Sequence, residues 1–461
     1  MSVSQGHPQR WVILGVICLA QLTVLLDNTV LNVAIPSLTR ELHAATSDIQ
    51  WMINAYSLVQ SGLLLTAGSA ADRYGRKKML MAGLALFGIG SLVAGLAGST
   101  GQLIAARAGM GIGGALLLTT TLAVAMQIFT PEEQPKAIGI WSAVNALGFA
   151  GGPLIGGFVL DHFWWGAIFL INIPVAALGL VAVLALVPES KSPRGDRPDL
   201  PGAVLSTLGM ASLVLAIISG PRHGWTSPLV LGAAGVAVVL LGCFAWWESR
   251  VAEPMLDLHF FRDRRFTGAV TGAVLITFGM GGALFLLTQH LQFVLGYGPL
   301  EAGLRTAPLA LTVVALNFTG LSAKWSARMG TPVSMALGMV LMSCGLVAIA
   351  VSDSGGYVGT LLGLLLIGAG CAIANPAMAH AIMSAIPPEK AGVGAGVNGT
   401  LAEFGNGLGV AVLGAVLSSS VASGESLSDS LGAGQLVGAV AVLVGGFVAA
   451  GLLKRAERKF A

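Results

Sequence analysis

Apolar residues are grouped along this chain into long segments, and short polar stretches separate one segment from the next. A helix that crosses a lipid bilayer needs roughly 20 predominantly apolar residues. Reading windows of that size predicts fourteen such helices, the spans 1 to 14. They lie near residues 11–35, 51–71, 79–98, 102–126, 137–160, 165–187, 200–220, 228–247, 266–290, 300–322, 331–350, 356–381, 392–416 and 434–453. The pattern therefore predicts an all-α membrane protein.

The basic residues test this count, because cytoplasmic loops of membrane proteins carry an excess of Lys and Arg. With the N-terminus placed in the cytoplasm, 20 of the 24 basic residues fall on the cytoplasmic side. Arg40 and Arg222 fall outside, and Arg107 and Arg305 fall within spans. One missed or invented span would destroy this asymmetry. We therefore expect a multi-pass protein of the cell membrane (plasma or inner membrane) with both termini in the cytoplasm.

The composition argues against a soluble enzyme. Hydrophobic residues make up 55% of the chain and charged residues 10%, whereas a soluble domain carries about 25% charged residues. The four cysteines lie in apolar segments without the spacing of a metal site, and no phosphate-binding loop of an ATPase is present. We expect no catalytic residues, no metal, no cofactor and no nucleic-acid partner, and transport driven by an ion gradient.

An internal repeat divides the chain. The loop after span 2, Gly68–Lys78, reads GSAADRYGRKK, and the segment after span 10, Gly320–Gly330, reads GLSAKWSARMG. If spans 9 to 14 repeat spans 1 to 6, spans 7 and 8 are an insertion. We expect a six-helix bundle at 1–190, a linker with two inserted helices at 191–255 and a second six-helix bundle at 256–461. Transporters commonly bind substrate at such a repeat interface.

Five motifs lie in order on the predicted spans. The loop Gly68–Lys78 has the pattern G-x-x-x-D-R-x-G-R-K, and span 1 contains Leu25–Pro36, LLDNTVLNVAIP. Span 4 contains Leu103–Gly113, L-x-x-x-R-x-x-x-G-x-G; span 5 contains Gly148–Gly157, G-x-x-x-G-P-x-x-G-G; and Trp164–Pro174, WWGAIFLINIP, is at the start of span 6. Together these motifs resemble the major facilitator superfamily, in particular its fourteen-helix drug:proton antiporter branch, over essentially the whole chain.

The resemblance implies a secondary active efflux transporter. Such a protein exports small drug-like or antibiotic compounds in exchange for protons by alternating access, is driven by the proton gradient, and works as a monomer. A proton-coupled importer of a small metabolite on the same fold is the alternative, but the span 5 motif is the one associated with exporters. A receptor, channel or structural protein would have no evident use for Asp27 and Glu403 inside the membrane.

Three charged residues lie well inside predicted spans: Asp27, Arg107 and Glu403. A charge within the hydrocarbon costs roughly 2.5 to 3.5 kcal/mol on insertion scales, so such residues usually mark a transport pathway. Asp27 and Arg107 lie about 12 and 8 Å from the outer ends of their spans at 1.5 Å per residue, and they are able to pair. We expect Asp27 to bind the driving proton and Arg107 to tune its proton affinity; a fixed structural ion pair is the competing interpretation.

Glu403 has no basic residue close to it in sequence. It is placed to attract a cationic substrate or to bind a second proton, and an acid that stays protonated and hydrogen-bonded is the third interpretation. The substrate cavity is expected to lie between the bundles and to be lined by polar side chains. The candidates are Glu403, Asn28, Asn54, Asn145, Gln289 and Asn317.

Two motifs predict segments that move during transport, a gate and a hinge. The expected cytoplasmic gate comprises Gly68, Asp72, Arg73, Gly75, Arg76 and Lys77. The resemblance implies that Asp72 docks against the other bundle, whereas ordinary topology alone would account for the basic residues. In the repeat, Lys324 replaces the acid, so that copy is not expected to make the same contacts. The expected hinge of span 5 comprises Gly148, Gly152, Pro153, Gly156 and Gly157, which we expect to face the equivalent helix of the other half; close packing without movement is the alternative.

Overall fold

The computed structural model describes residues 8–130, 132–191, 198–251, 254–352, 356–384 and 391–457. Within these ranges the regular structure is helical and contains no strand. The α-helices are α1 (Arg10–Glu41), α2 (Thr46–Tyr74), α3 (Arg76–Gly95), α4 (Thr100–Ile128), α5 (Gln134–His162), α6 (Ala167–Leu170), α7 (Asn172–Leu186), α8 (Leu200–His223), α9 (Pro228–Glu248), α10 (Arg264–Gln289), α11 (Pro299–Phe318), α12 (Leu321–Met329), α13 (Thr331–Ala350), α14 (Tyr357–Ser384), α15 (Ala391–Ala422) and α16 (Leu427–Glu457). A 3-10 turn (Leu258–Arg262) precedes α10 and a π-helical turn (His290–Val294) continues it.

The prediction of an all-helical membrane protein is confirmed, and each predicted span falls on one helix or on two consecutive helices. By length and apolar composition, 12 helices of the described residues are able to cross a membrane. The predicted spans 2 and 5, which correspond to α2 and α5, are not among the 12. Helix α2 is not among them because its buried polar residues Gln50, Asn54 and Gln60 lower its apolar character.

In the first half of the chain, α5 lies against α1 through glycines. The three glycines are Gly148, Gly152 and Gly156, and they face Leu25, Thr29 and Val30 in that order. The two helices therefore run parallel, and the missing side chains on α5 let their backbones approach closely.

The second half repeats this arrangement. Gly405 and Gly409 of α15 lie against Thr277 and Phe278 of α10, again with the two helices parallel. In the predicted repeat, α10 and α15 are the equivalents of α1 and α5. Equivalent helices thus make equivalent contacts.

The halves meet along one side through α2 and α15. These helices run antiparallel, with Gln50 beside Gly414 near one end and Leu65 beside Gly396 near the other. The Gln50 amide crosses between the halves and donates to the Val410 carbonyl at 3.1 Å. We call the side of the protein where α1 begins and α2 ends the N-terminal face, and its opposite the far face.

On the other side the halves meet through α5 and α11. Gly157 lies against the backbone of Pro299, 2.6 Å from the carbonyl oxygen to where its Cβ would be, and Gly303 lies against the backbone of Pro153. This packing corrects the expectation that the span 5 glycines face the equivalent helix of the other half, which is α15. They face α1 and α11 instead, because the repeat pairs α5 with α11 across the interface and α15 with α2.

The α5–α11 contacts lie toward the far face. Close to them, Gln292 of the π-helical turn donates to the Val33 carbonyl of α1 at 3.0 Å, which joins the halves again at this face. Toward the N-terminal face α11 instead exposes Leu311 and Phe318, the latter 92% exposed. The halves are therefore joined at the far face, and on the α5–α11 side α11 is exposed toward the N-terminal face.

The helices α8 and α9 form a hairpin outside the two halves. Val214 and Ile218 of α8 pack into the seam between Leu58 of α2 and Ala411 of α15. The helix α9 packs on α8 and has a mostly exposed apolar surface. The hairpin thus contacts both halves along the α2–α15 side.

Two glycines with positive φ mark equivalent bends. Gly75, at φ +115°, joins α2 to α3, and Gly330, at φ +77°, joins α12 to α13. A side chain is disfavoured in this part of conformational space. The halves differ just before the bend, since α2 is continuous whereas Gly320, at φ +67°, separates α11 from α12.

The α5 contacts predict different effects for two neighbouring glycine changes. Gly157→Ala places a methyl group against the backbone of Pro299 and Leu300, so α5 and α11 must move apart. We expect a loss of about 1 to 3 kcal/mol in the free energy of unfolding, as for other overpacked sites. Denaturant titration in detergent measures it.

Gly151→Ala is the matched control, because its new methyl group meets ordinary contacts at 3.4 Å and beyond. It should be neutral or slightly stabilising, since alanine favours a helix more than glycine does. Equal destabilisation by both changes would contradict the packing described.

Candidate functional site

A buried ion pair joins α1 to α4. Asp27 is 4% exposed and Arg107 is 1% exposed, and Nη1 of Arg107 donates to Oδ2 of Asp27. Nε of Arg107 donates to the backbone carbonyl of Met52 in α2 at 3.1 Å. The pairing expected from their depths in spans 1 and 4 is present, and a third helix takes part in it.

Aromatic rings enclose the guanidinium. The Tyr56 ring centroid lies 4.3 Å from Cζ of Arg107, and the Phe169 ring centroid lies 5.9 Å from it. A cation over an aromatic face is attracted by the ring electrons, and more strongly where water is excluded. Tyr56 and Phe169 are both buried. Arg107 therefore binds a carboxylate, a carbonyl and two aromatic rings from α1, α2 and α6.

Asn172 donates to the other oxygen of the Asp27 carboxylate. Its amide donates to Oδ1 of Asp27 at 3.5 Å and to the Ser91 hydroxyl at 3.3 Å. Asn172 is the first residue of α7, where the chain restarts a helix after α6. Beside Asp27 a small cavity lies between α1, α5, α6 and α7, lined in part by Gly156 and Ile168. The carboxylate thus has one oxygen on Arg107 and the other near a neutral donor and a cavity.

Glu403 lies at the junction of the two halves. The Asn28 amide of α1 donates to its Oε1 at 3.4 Å, and the Ser57 hydroxyl of α2 lies near its carboxyl group. Its Oε2 is buried and has no hydrogen-bond partner among the described residues. A carboxylate accepts about four hydrogen bonds, so Glu403 has capacity for a proton or for a cationic or hydrogen-bonding ligand.

Consecutive residues of α1 connect these two acidic groups. Residues one apart on a helix point about 100° apart, because a turn takes 3.6 residues. Asp27 accordingly faces α4 and Arg107, while Asn28 faces α15 and Glu403. A rotation of α1 would affect both groups at once.

The remaining cavity candidates are dispersed. Asn54 is buried in the α2–α15 seam, where it donates to the Gln50 carbonyl at 2.9 Å and its Oδ1 is near Gly407. Gln289 is buried and donates to a carbonyl of its own helix. Asn317 is exposed at the N-terminal face and accepts from the Ser322 hydroxyl at 2.8 Å. The side chain of Asn145 lies outside the described residues. The structure thus brings Asn28, Asn54 and Glu403 to one seam, with Gln289 and Asn317 elsewhere.

The expected gate residues are held within the first half. Arg76, at the start of α3, pairs at 2.7 Å with Asp72, four residues earlier at the end of α2. It also donates to the Ala123 carbonyl of α4 at 3.4 Å. Lys77 donates to the Leu184 carbonyl of α7 at 2.8 Å, and Gly75 lies against the Glu189 carboxylate.

Two further gate candidates make little contact. Arg73 is exposed beside Tyr74, and no atom lies within 4 Å of a Cβ built on Gly68. Asp72 was expected to dock on the other bundle, but its bonded partner is Arg76.

Sequence reasoning missed several partners. Tyr56, Ser57, Ser91 and Asn172 belong to the site, yet none was named as a candidate. Asn172 lies within the motif Trp164–Pro174, and a polar residue in an otherwise apolar run was a usable signal. Tyr56 and Ser57 carry no such signal, because each is one polar residue among many in α2.

Comparison with known proteins identifies relatives of this chain. The family profile described as Major Facilitator Superfamily matches residues 17–410. The multidrug resistance protein Stp of Mycobacterium tuberculosis is 35% identical over 396 residues, which are 86% of this chain and 73% of that protein. The tetracenomycin C resistance and export protein of Streptomyces glaucescens is 33% identical over 420 residues, 90% of this chain and 77% of that protein. A crystal structure of peptide transporter POT in complex with sulfate has the same fold, with a TM-score of 0.71 at 16% identity over 98% of this chain and 96% of that chain.

The ion pair predicts a strong coupling between its two members. Arg107→Gln leaves the Asp27 carboxylate buried without its cation, and removing one partner of a buried pair costs about 3 to 5 kcal/mol. The double variant Asp27→Asn with Arg107→Gln should be more stable than Arg107→Gln alone, because no unpaired charge remains. The free energies of unfolding of the single and double variants, measured in detergent, give the coupling energy between the two side chains.

The exposed pair formed by Arg305 and Glu301 supplies the control. Glu301→Gln should change the stability little, as for other solvated pairs, because Arg305 keeps its contacts with the Tyr297 and Tyr357 rings. Additive effects of the Asp27 and Arg107 changes would show that the two side chains do not act as a unit.

Proposed function

The chain belongs to the Major Facilitator Superfamily, and on that premise we propose that it exports small drug-like or antibiotic compounds in exchange for protons. The observation that carries the proposal is the pair of acidic groups on neighbouring faces of α1, one paired with Arg107 and one at the junction of the halves. Relatives matched over 86% and 90% of this chain are a multidrug resistance protein and an antibiotic resistance and export protein. Export of a drug-like compound is therefore the function that the site and the relatives favour together.

We propose fourteen transmembrane helices, with α8 and α9 inserted between two six-helix bundles. Besides the 12 helices that meet the length and composition of a span, α2 and α5 each have 29 residues. At 1.5 Å per residue each is about 43 Å long, which exceeds the hydrocarbon thickness of about 30 Å. The excess of basic residues on the loops of the N-terminal face supports the proposal that this face is cytoplasmic.

The proposed cycle begins from the conformation described. On the α5–α11 side, where the described contacts between the halves lie toward the far face, we propose that a cleft opens at the N-terminal face and admits a compound from the cytoplasm or inner leaflet to the seam near Glu403. Closing this face and parting the far-face contacts of Gln292 and Gly157 would expose the site to the outside. The glycine contacts between α5 and α11, which join the two halves, are the packing that such rocking has to change.

Asp27 is proposed as the proton carrier. Protonation removes its charge and frees Arg107 from its ionic partner, while the Met52 carbonyl and the two rings still hold the guanidinium. Because Asn28 follows Asp27 on α1, a shift of α1 on protonation changes the hydrogen bond to Glu403. Proton binding and substrate binding are thereby linked through one helix.

Glu403 is proposed to attract cationic compounds. Its Oε2 has no partner among the described residues, and no basic side chain is bonded to its carboxyl group in that part of the chain. A cation would supply the missing partner. Neutral compounds would gain less from this residue.

Uptake of a fluorescent lipophilic cation into inverted membrane vesicles tests the proposal. With the interior acidified, the wild-type protein should accumulate the cation until a protonophore is added, and Asp27→Asn should abolish accumulation at equal protein level. The exposed Glu301→Gln variant is the control and should behave as wild type. Accumulation driven by an inwardly directed proton gradient in right-side-out vesicles, and not in inverted vesicles, would instead establish import.

A second comparison tests Glu403. Glu403→Gln should reduce uptake of cations at least about tenfold, equivalent to about 1.4 kcal/mol, while a neutral substrate is transported nearly as before. An equal loss for both kinds of compound would assign Glu403 to proton binding.

A further inference from the structure

A second pair of buried acidic groups lies outside the site described above. Asp199 immediately precedes α8 and Glu248 ends α9, so both lie at the base of the hairpin on the N-terminal face. Asp199 is 7% exposed and Glu248 is 3% exposed. Neither belongs to a motif of the sequence, and charged residues at this depth are rarely buried without a partner.

Asp199 accepts hydrogen bonds from α2, α8 and α9. Its carboxylate accepts from the Gly202 amide at 2.9 Å, which caps α8, and from the Trp247 indole at 2.9 and 3.1 Å. Its backbone carbonyl accepts from the Thr66 hydroxyl of α2 at 3.4 Å. Asp199 therefore ties together both helices of the hairpin and α2.

Only one of the two carboxyl oxygens of Glu248 has a hydrogen-bond partner among the described residues. Its Oε2 accepts from the Leu256 amide at 2.9 Å, while its Oε1 is buried without a hydrogen-bond partner in the described part of the chain. Where a Cβ on Gly202 would lie, Oε1 of Glu248 is 2.6 Å away and Oδ2 of Asp199 is 2.5 Å away. The two carboxyl groups therefore lie close together beside Gly202.

Two ionised carboxylates have acceptors and no donor, so no hydrogen bond forms between them without a proton. Their like charges also repel in a place that water barely reaches. The uncharged groups around them include Thr66, Met255 and Trp247. The nearest described cation in sequence, Arg250, stacks on the Trp246 ring, and Asp257 pairs with His259.

We propose that Asp199 and Glu248 bind one proton between them and form a proton site separate from Asp27. With the proton on Oε1, Glu248 donates to Oδ2 of Asp199, and the unpartnered atom is satisfied. Loss of the proton leaves two adjacent negative charges, which separate the base of α9 from α8 and weaken the Thr66 contact to α2. The attachment of the hairpin then depends on the proton concentration at the N-terminal face. This inference does not rest on the proposed function.

Infrared spectroscopy of the full-length protein in lipid nanodiscs tests it. At about pH 6.5 an ordinary carboxyl group, with a pKa of about 4, is ionised. The wild-type spectrum minus that of Glu248→Gln should contain the C=O stretch of a protonated carboxyl group. Asp199→Asn should lose the same band, because its amide donates to Glu248 and lets it stay ionised, and Glu301→Gln should retain it.

Hydrogen exchange gives an independent measurement at the same place. If the base of the hairpin holds one proton more when closed than when opened, raising the pH favours opening. The equilibrium constant for opening of residues 200–204 in the wild type should then rise up to about tenfold per pH unit, after correction for the intrinsic exchange rate. Glu248→Gln should remove this dependence while keeping the protection seen at low pH. Absence of the band in the wild-type difference spectrum, or protection lost at every pH in a folded Glu248→Gln protein, would overturn the proposal.

Discussion

A guanidinium enclosed by helices needs its charge and its N–H groups satisfied inside the protein, because no bulk water reaches it. Arg107 meets this requirement with Asp27, the Met52 carbonyl and the rings of Tyr56 and Phe169. These groups come from α1, α2 and α6, while Arg107 itself belongs to α4. One side chain thus fixes the relative positions of four helices, and the first half of the molecule is organised around it.

The same helix that supplies Asp27 also supplies the link to the second half. Asn28 reaches Glu403 of α15, while Gln50 and Gln292 join the halves through backbone carbonyls elsewhere. Among the described contacts, the polar links between the halves are neutral donors on carbonyls or on one carboxylate. Such bonds can be exchanged for others at modest free energy. That property suits an interface that must open and close.

Much of the fold could be predicted because length and apolar character alone locate a membrane helix. The Asp27–Arg107 pair could also be predicted, since the depth of each residue in its span follows from counting along the helix. The partners of Glu403 could not, because Asn28 and Ser57 come from the other half and no local pattern records that contact. Nor could the Asp199–Glu248 pair, since acids at helix ends are unremarkable until packing buries them. Asp72 shows the limit of a motif, which identifies a residue but not its partner in a particular conformation.

The hairpin of α8 and α9 has a consequence for how a lipid-soluble compound would approach. It covers the seam between α2 and α15, where Val214 and Ile218 fill the gap between the halves. On the opposite side Phe318 of α11 is exposed toward the N-terminal face. A molecule dissolved in the bilayer therefore meets the α8–α9 hairpin on one flank of the protein and exposed side chains of α11 on the other. The lipid-facing surface differs between the two flanks, although the two halves themselves are built on a symmetric plan.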